Sequence, residues 1–258
     1  MDYQFLTARI SRGILEVTIN RAAKRNALSQ AVLAEIRSYF SSHASDDNLI
    51  AAVLRGAGEQ CFAAGGDLHE FDRMRTPADA RAIGLASSAA LDALRNFPVP
   101  VIAALNGDAI GGGAELALAC DLRIAAVHAR IAFVQGTLNI SPAWGGGTDL
   151  CRLVGTAQAL RLLCRADFID VTEAISLGMV QARAAADQSF DDFVDQFLEP
   201  IRARRPQVMR AFKALARAQR EGASPAVLRD LELEHLDSTW CHEDHWRAHD
   251  AVLARISR

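Results

Sequence analysis

Residues 98–123, PVPVIAALNGDAIGGGAELALACDLR, constrain the fold of this chain more than any other stretch. Val101 to Leu105 is a continuous apolar run closed by Asn106 and Gly107, the pattern of a strand buried on both faces beneath helices. Gly111, Gly112 and Gly113 follow, and Ala114 to Cys120, rich in Ala and Leu, reads as a helix. Three consecutive glycines leave backbone amides uncovered at a helix N-terminus, where partial positive charge collects. Glu115 falls in the first turn of that helix. A bare amide polarises a carbonyl, and a carboxylate beside it moves a proton. The same residues also read as a tight strand–helix turn whose glutamate only compensates the helix dipole.

The flanking sequence repeats the theme. Residues 3–20 alternate as two strands, YQFLTARI and ILEVTIN, about a turn at Ser11–Arg12–Gly13. After the polar loop RAAKRNALS, Ser29 is placed to cap a helix carrying Val32, Leu33, Ile36, Tyr39 and Phe40 at helical spacing. Ile50 to Leu54 predicts a short strand ended by Gly56. In CFAAGGDLHEF a strand end at Phe62 runs into Ala64–Gly65–Gly66, and Asp67 with Glu70 predicts a capping box. Thr76–Pro77 opens a helix that runs through Leu91 and Leu94 to Pro98. Strands are expected at Leu122–Ala126 and Ile131–Val134, then the turn SPAWGGGT and a helix through Leu160 and Leu163. Strand–glycine–helix units thus recur near Gly56–Gly66, Gly107–Gly113 and Gly145–Gly147 without repeating their residues.

From about Phe190 the pattern turns wholly helical, and Ser224–Pro225 marks a strong helix start. This change of class places a boundary near 190–200. We expect an α/β core over 1–195 and a helical region over 196–258. Val227, Leu228, Leu231 and Leu236 in the tail need a surface to bury against.

Composition narrows the function classes. At 258 residues, half of them hydrophobic, the chain can bury a substantial core as one large domain or a domain with an extension. A formal net charge of −3 gives no electrostatic reason to expect a nucleic-acid or anionic-membrane partner, although local basic residues can hold a phosphorylated small molecule. The five cysteines contain no CxxC pair, so neither a disulfide framework nor a zinc site is indicated. No apolar run reaches membrane-spanning length and MDYQFLTARISRG lacks an apolar signal core, so the expected location is cytoplasmic, with no membrane partner.

The glycines fit neither GxGxxG, GxxxxGK[ST] nor GxSxG, which argues against dinucleotide, phosphate-loop and nucleophile-elbow chemistry. His242, His245 and His249 at i, i+3 and i+7 share one helical face; they read as a metal face or as a solvated terminal helix. With no fourth ligand, no metal is expected.

FAAGGD, then PVIAALNGDAIGGGAELALACDLRIA, an F-x-Q segment and a WGGGT turn resemble the crotonase (enoyl-CoA hydratase/isomerase) superfamily. The likeness runs over nearly the whole chain, with NRAAKRNALS early and SLGMV late. The resemblance implies an α/β spiral of ββα units followed by a helical trimerisation region, an acyl-CoA thioester substrate, and a homotrimer or a hexamer (a dimer of trimers). No cofactor beyond the coenzyme A of the substrate is implied. By motif position, the oxyanion-hole amides are expected at Ala64 and Gly112, and the acid–base group at Glu115. The adenine end of CoA is expected against backbone at Asn26–Ala27–Leu28 and Gly66–Asp67–Leu68. Lys24, Arg25 and Lys213 read as phosphate neighbours or as ordinary solvated charges.

One departure matters. Hydratases of this family carry a second glutamate shortly after F-x-Q, and here that position is Thr137, within a loop that looks short. A threonine hydroxyl is no general base near neutral pH, which counts against hydration by a two-glutamate route. Three functions follow from the resemblance. The first is an enzyme of the hydratase/isomerase type with one acid–base glutamate. The second is a decarboxylase of malonyl-type acyl-CoA, since the Pro142–Ala143–Trp144 turn also resembles the ethylmalonyl-CoA decarboxylase branch. The third is a non-enzymatic acyl-CoA-binding scaffold.

Overall fold

The chain opens with a hairpin in which β1 (Leu6–Ser11) and β2 (Ile14–Ile19) pair antiparallel about Arg12–Gly13. Ser29 caps α1 (Gln30–His43), its hydroxyl accepting from Val32 N at 3.3 Å, and the five apolar residues at helical spacing are buried. The computed structural model describes residues 3–256. Met1, Asp2, Ser257 and Arg258, at the outer ends of the two expected regions, lie outside the described residues.

Three passes of strand, strand and helix follow. The first is β3 (Ala51–Gly56), β4 (Cys61–Ala63), α2 (Leu68–Phe71) and α3 (Pro77–Arg95). The second is β5 (Val101–Leu105), β6 (Asp108–Ile110) and α4 (Gly112–Ala119). The third is β7 (Leu122–Ala125), β8 (Arg130–Ala132), α5 (Gly146–Val154) and α6 (Thr156–Arg165). Then come β9 (Ile169–Asp170), α7 (Val171–Ser176) and β10 (Ala182–Arg183), and finally α8 (Phe190–Arg202), α9 (Pro206–Arg220), α10 (Pro225–Trp240) and α11 (Glu243–Ile256).

Each pass places its first strand in a six-stranded sheet, ordered β1-β2-β3-β5-β7-β10, and its second in a four-stranded sheet, ordered β4-β6-β8-β9. Within the passes all pairing is parallel, Ala52 opposite Val101 and Cys61 opposite Asp108. The α/β spiral of ββα units therefore stands as expected. Gly107 makes the step from one sheet to the other possible, because any Cβ there would overlap the Gln60–Cys61 backbone. β5 is buried on both faces along its whole length, as its unbroken apolar run requires. Each fully buried Val, Ile or Leu of this kind contributes roughly 1.5–3 kcal/mol over exposure.

Several local expectations shift. The strand expected at Ile50–Leu54 is β3, Ala51–Gly56; it starts one residue later and takes in Gly56, because its register is set by pairing with β2. The single helix expected after SPAWGGGT is two, α5 and α6, broken at Gly155 with φ +77°. The Thr76/Asp79 end of α3 forms a reciprocal capping box, Asp79 N donating to Thr76 Oγ1 at 3.2 Å. The box expected at Asp67 does not form. Asp67 gives its carboxylate to Arg21 at 3.1 Å, and Glu70 accepts from Gln30 N at 3.0 Å.

Lys213 is neither solvated nor a phosphate neighbour. It is 3 % exposed on α9, and its ammonium meets Asp121 at 2.5 and 2.7 Å. Asp121 also accepts from Val101 N at 2.8 Å, so this pair ties the helical region to the start of β5, inside the six-stranded sheet. Burial pushes the Lys213 ammonium towards deprotonation, and Asp121 opposes it.

Among the described residues no helix is long and apolar enough to cross a membrane, and no group of three His, Cys, Asp or Glu is arranged to hold a metal. His245 instead stacks on Trp240 with centroids 4.7 Å apart, and His242 Nδ1 lies 3.2 Å from Asp244.

Candidate active site

Two glycine loops touch at the N-terminus of α4. Gly111 turns the chain with φ +54° and ψ −116°, a conformation open to glycine. Gly113 packs directly on the Ala63 carbonyl at the end of β4, with no room for a Cβ. From the other loop, Gly65 has φ +89°, and a Cβ there would lie 2.8 Å from Ile110 O and 3.2 Å from Gly112 N. The loops therefore meet backbone to backbone.

That contact decides which amides are free. Ala64 N donates to Arg25 O at 3.1 Å, so the expected oxyanion donor at Ala64 is already used. The free amide lies two residues on. Leu28 bridges Gly66 in parallel, with Leu28 N donating to Gly65 O at 2.8 Å and Asp67 N to Leu28 O at 3.3 Å. This pairing turns the Gly66 N–H to the opposite side. Among the described residues neither Gly66 N nor Gly112 N has a protein acceptor. The bare pair is thus Gly66 and Gly112, a correction that follows from strand alternation once Leu28 is known to be the partner.

Glu115 stands one turn beyond, 2 % exposed. Its Oε2 accepts from Trp144 N at 3.0 Å and Gly146 N at 2.9 Å, and its Oε1 accepts from Gln135 Nε2 at 2.9 Å. Burial raises its pKa above the ordinary value, while Gly146, Trp144, Gln135 and the Arg95 charge pull the other way. Gly146 is required because a Cβ would strike the Glu115 side chain. The Trp144 ring, 7 % exposed, lies across Gly112. Gln135, Trp144 and Gly146 fall within the F-x-Q and WGGGT motifs, but nothing in the spacing of those motifs points them at Glu115.

Thr137 sits on the exposed side of the turn Val134–Leu138, its hydroxyl donating to Val134 O at 2.7 Å. Glu115 is therefore the one carboxylate among the expected catalytic residues. Of the expected CoA contacts, Asn26 and Leu28 are fully buried. Asn26 props the turn, donating to Ala57 O at 3.0 Å and Cys61 O at 2.7 Å. The Ala27 carbonyl accepts from Arg21 at 2.5 Å, and Asp67 is paired with the same guanidinium. Lys24, Arg25 and Leu68 point outward, with Arg25 3.8 Å from Asp108. A carbonyl seated on the two bare amides would lie beside a buried carboxylate, an arrangement suited to enolate formation and proton transfer.

A family model for enoyl-CoA hydratase/isomerase matches residues 9–251. The short-chain-enoyl-CoA hydratase of Clostridium acetobutylicum is 40% identical over 164 residues, 64% of this chain and 62% of that enzyme, which is under two thirds of its length. The ethylmalonyl-CoA decarboxylase of Pongo abelii is 29% identical over 230 residues, 88% of this chain and 76% of that one. A crystal structure of an enoyl-CoA hydratase from Bacillus anthracis superposes with a TM-score of 0.91 at 28% identity, covering 98% of this chain and 97% of the other.

Proposed function

The chain belongs to the enoyl-CoA hydratase/isomerase family, and on that premise we propose that it converts acyl-CoA thioesters through an enolate held by the Gly66 and Gly112 amides, with Glu115 as the only proton-transfer group. The observation that carries this reading is the pair of unbonded amides one turn from a buried, three-fold hydrogen-bonded carboxylate. One carboxylate suffices for a double-bond shift, because it removes a proton from one carbon and returns it to another on the same face. Water addition asks for a second group, and Thr137 holds its proton on Val134 O. We assign Lys24 and Arg25, both exposed beside the Asn26–Leu28 turn, to the CoA phosphates.

Decarboxylation of a malonyl-type thioester is the second reading, favoured by the Pro142–Ala143–Trp144 turn and the decarboxylase relative. There the C–CO2 bond breaks, its electron pair passes into the thioester enolate, and protonated Glu115 delivers the proton. A panel of crotonyl-, 3-enoyl- and ethylmalonyl-CoA, followed by mass spectrometry, separates the readings. The expected result is conversion of 3-enoyl- to 2-enoyl-CoA with little water addition. Loss of CO2 from ethylmalonyl-CoA would shift the assignment to the second reading. Butyryl-CoA at 100 times its Kd should stabilise the protein by about 2.7 kcal/mol. Equal stabilisation by ATP or NAD would overturn the acyl-CoA assignment.

Assembly is read from the tail. α10 and α11 bury no side chain, leaving Leu233, Leu236 and Trp240 about half exposed and Ile256 76 % exposed. Apolar area on this scale calls for cover, and we assign it to neighbouring subunits in a trimer or hexamer. Light scattering at micromolar concentration should give one of these masses; a clean monomer would overturn the assignment.

A further inference from the structure

Behind the strap that holds Glu115 lies a buried ion pair with no part in the chemistry described so far. Arg95, in the last turn of α3, has a side chain only 13% exposed, and Asp149 on α5 is at 8%. Arg95 Nε and Nη2 reach Asp149 Oδ2 at 2.9 and 2.8 Å. Its Nη2 also donates to Trp144 O at 3.0 Å, and its Nη1 to Asp92 at 2.7 Å. Gly145, with φ +88°, lets the guanidinium close up beneath the strap; a Cβ there would fall 2.8 Å from Nη2. The residues on either side of Gly145 present their amides, Trp144 N and Gly146 N, to Glu115. One guanidinium therefore grips the carbonyl of residue 144 and the carboxylate of residue 149. It anchors both ends of the segment whose front face holds the carboxylate.

We propose that Arg95 is the positioning residue of Glu115, clamping the 144–149 strap from behind and setting a fixed positive charge there. This rests on the reading of Glu115 as the proton-transfer group. A buried Arg–Asp pair is costly to desolvate and persists where its geometry is fully used, as it is here. The charge is the informative part. Elements α3, α5, β4 and β6 pack against α4. On them, Asp108 is held by Arg130 at 2.7 Å and by Arg25, and the Cys61 thiol is buried and pushed up to about 11. Asp92 pairs with Arg95, Asp79 is half-buried in its capping box with Thr76, and Arg81 and Arg152 are exposed. Arg95 remains as the cation acting on Glu115, partly offset by Asp149.

The two partners must then move Glu115 in opposite directions. Arg95→Met removes the cation and should carry the Glu115 titration midpoint upward. Asp149→Asn leaves the cation with Asp92 as its remaining carboxylate partner and should carry it downward. Arg95→Lys keeps the charge but loses the fork, so the midpoint should stay near wild type while kcat falls. The direct readout is 13C NMR titration of side-chain-labelled glutamate, with the Glu115 signal identified by its loss in Glu115→Gln. Should Arg95→Met fail to fold, Asp149→Asn decides alone, because it retains the cation and an acceptor for it. A midpoint unmoved in Asp149→Asn, or moved the same way in both variants, overturns the proposal. The substrate panel on the same proteins tests the acyl-CoA reading separately: a wild type that neither turns over nor binds any acyl-CoA defeats that reading, while the NMR midpoints still judge Arg95.

Discussion

Glu115→Gln is expected to slow isomerisation or enolate protonation by about 10²–10⁴-fold while leaving the fold intact. The substitution suits the site. The carbonyl oxygen of the introduced glutamine can take both the Trp144 and Gly146 amides. Its NH2 can donate to Gln135 Oε1, which is buried without a donor, once Gln135 turns its amide over. Stability supplies an internal control. The folded-state pKa of Glu115 is raised, so its contribution to stability is fully present below the unfolded value and is lost as pH rises through the folded one. An amide side chain does not ionise, so the variant's melting temperature should gain on wild type as pH rises through that window. A variant that instead loses ground to wild type as pH rises would mean that the three hydrogen bonds outweigh burial. Thr137→Glu should raise hydration of crotonyl-CoA above wild type, and adding Glu115→Gln should abolish the gain. Rapid hydration by the wild type, untouched by Glu115→Gln, would sink the acid–base assignment.

Gly113→Ala should reduce kcat by about 10²–10³-fold, the scale of one lost oxyanion donor, with unchanged secondary-structure content. A single methyl suffices because it would sit against the Ala63 carbonyl, which is backbone at the end of a paired strand and has nowhere to move. The loops after β4 and β6 must then separate, and the Gly66 and Gly112 amides with them. Overpacking of this kind typically costs about 1–3 kcal/mol, so the melting temperature should fall as well. Gly84→Ala is the control. Its Cβ would meet only ordinary contacts with Ala143 at 3.7 Å, and an alanine inside α3 should leave activity unchanged and stability equal or slightly higher. Full activity in Gly113→Ala would place the oxyanion donors elsewhere.

The architecture was largely legible from residue order. The unbroken apolar run of β5, the alternation of β1 and β2, and the Ser29, Thr76 and Ser224 caps are local signals, and each forms where its chemistry puts it. Glu115 beside bare glycine amides was legible for the same reason: helix-start chemistry is written within a few residues. Lys213 was not. A lysine on an amphipathic helix reads as solvated, and only docking against Asp121, 92 residues earlier, made it a buried ion.

The candidate site divides along the same line. Which glycines must be bare, and which carboxylate stands next to them, were determined by sequence alone, because sterics and the helix dipole act over short stretches of chain. Which amide is free was decided by tertiary structure. Ala64 and Gly66 are two residues apart and look equally suited, yet Arg25 O claims the first and Leu28 turns the second outward. The same holds for the support of Glu115, gathered from Gln135, Trp144 and Gly146, with Arg95 behind them. Hydrogen bonds are saturable, so an amide's role depends on whether a distant partner has already taken it, and that is fixed only when the loops meet.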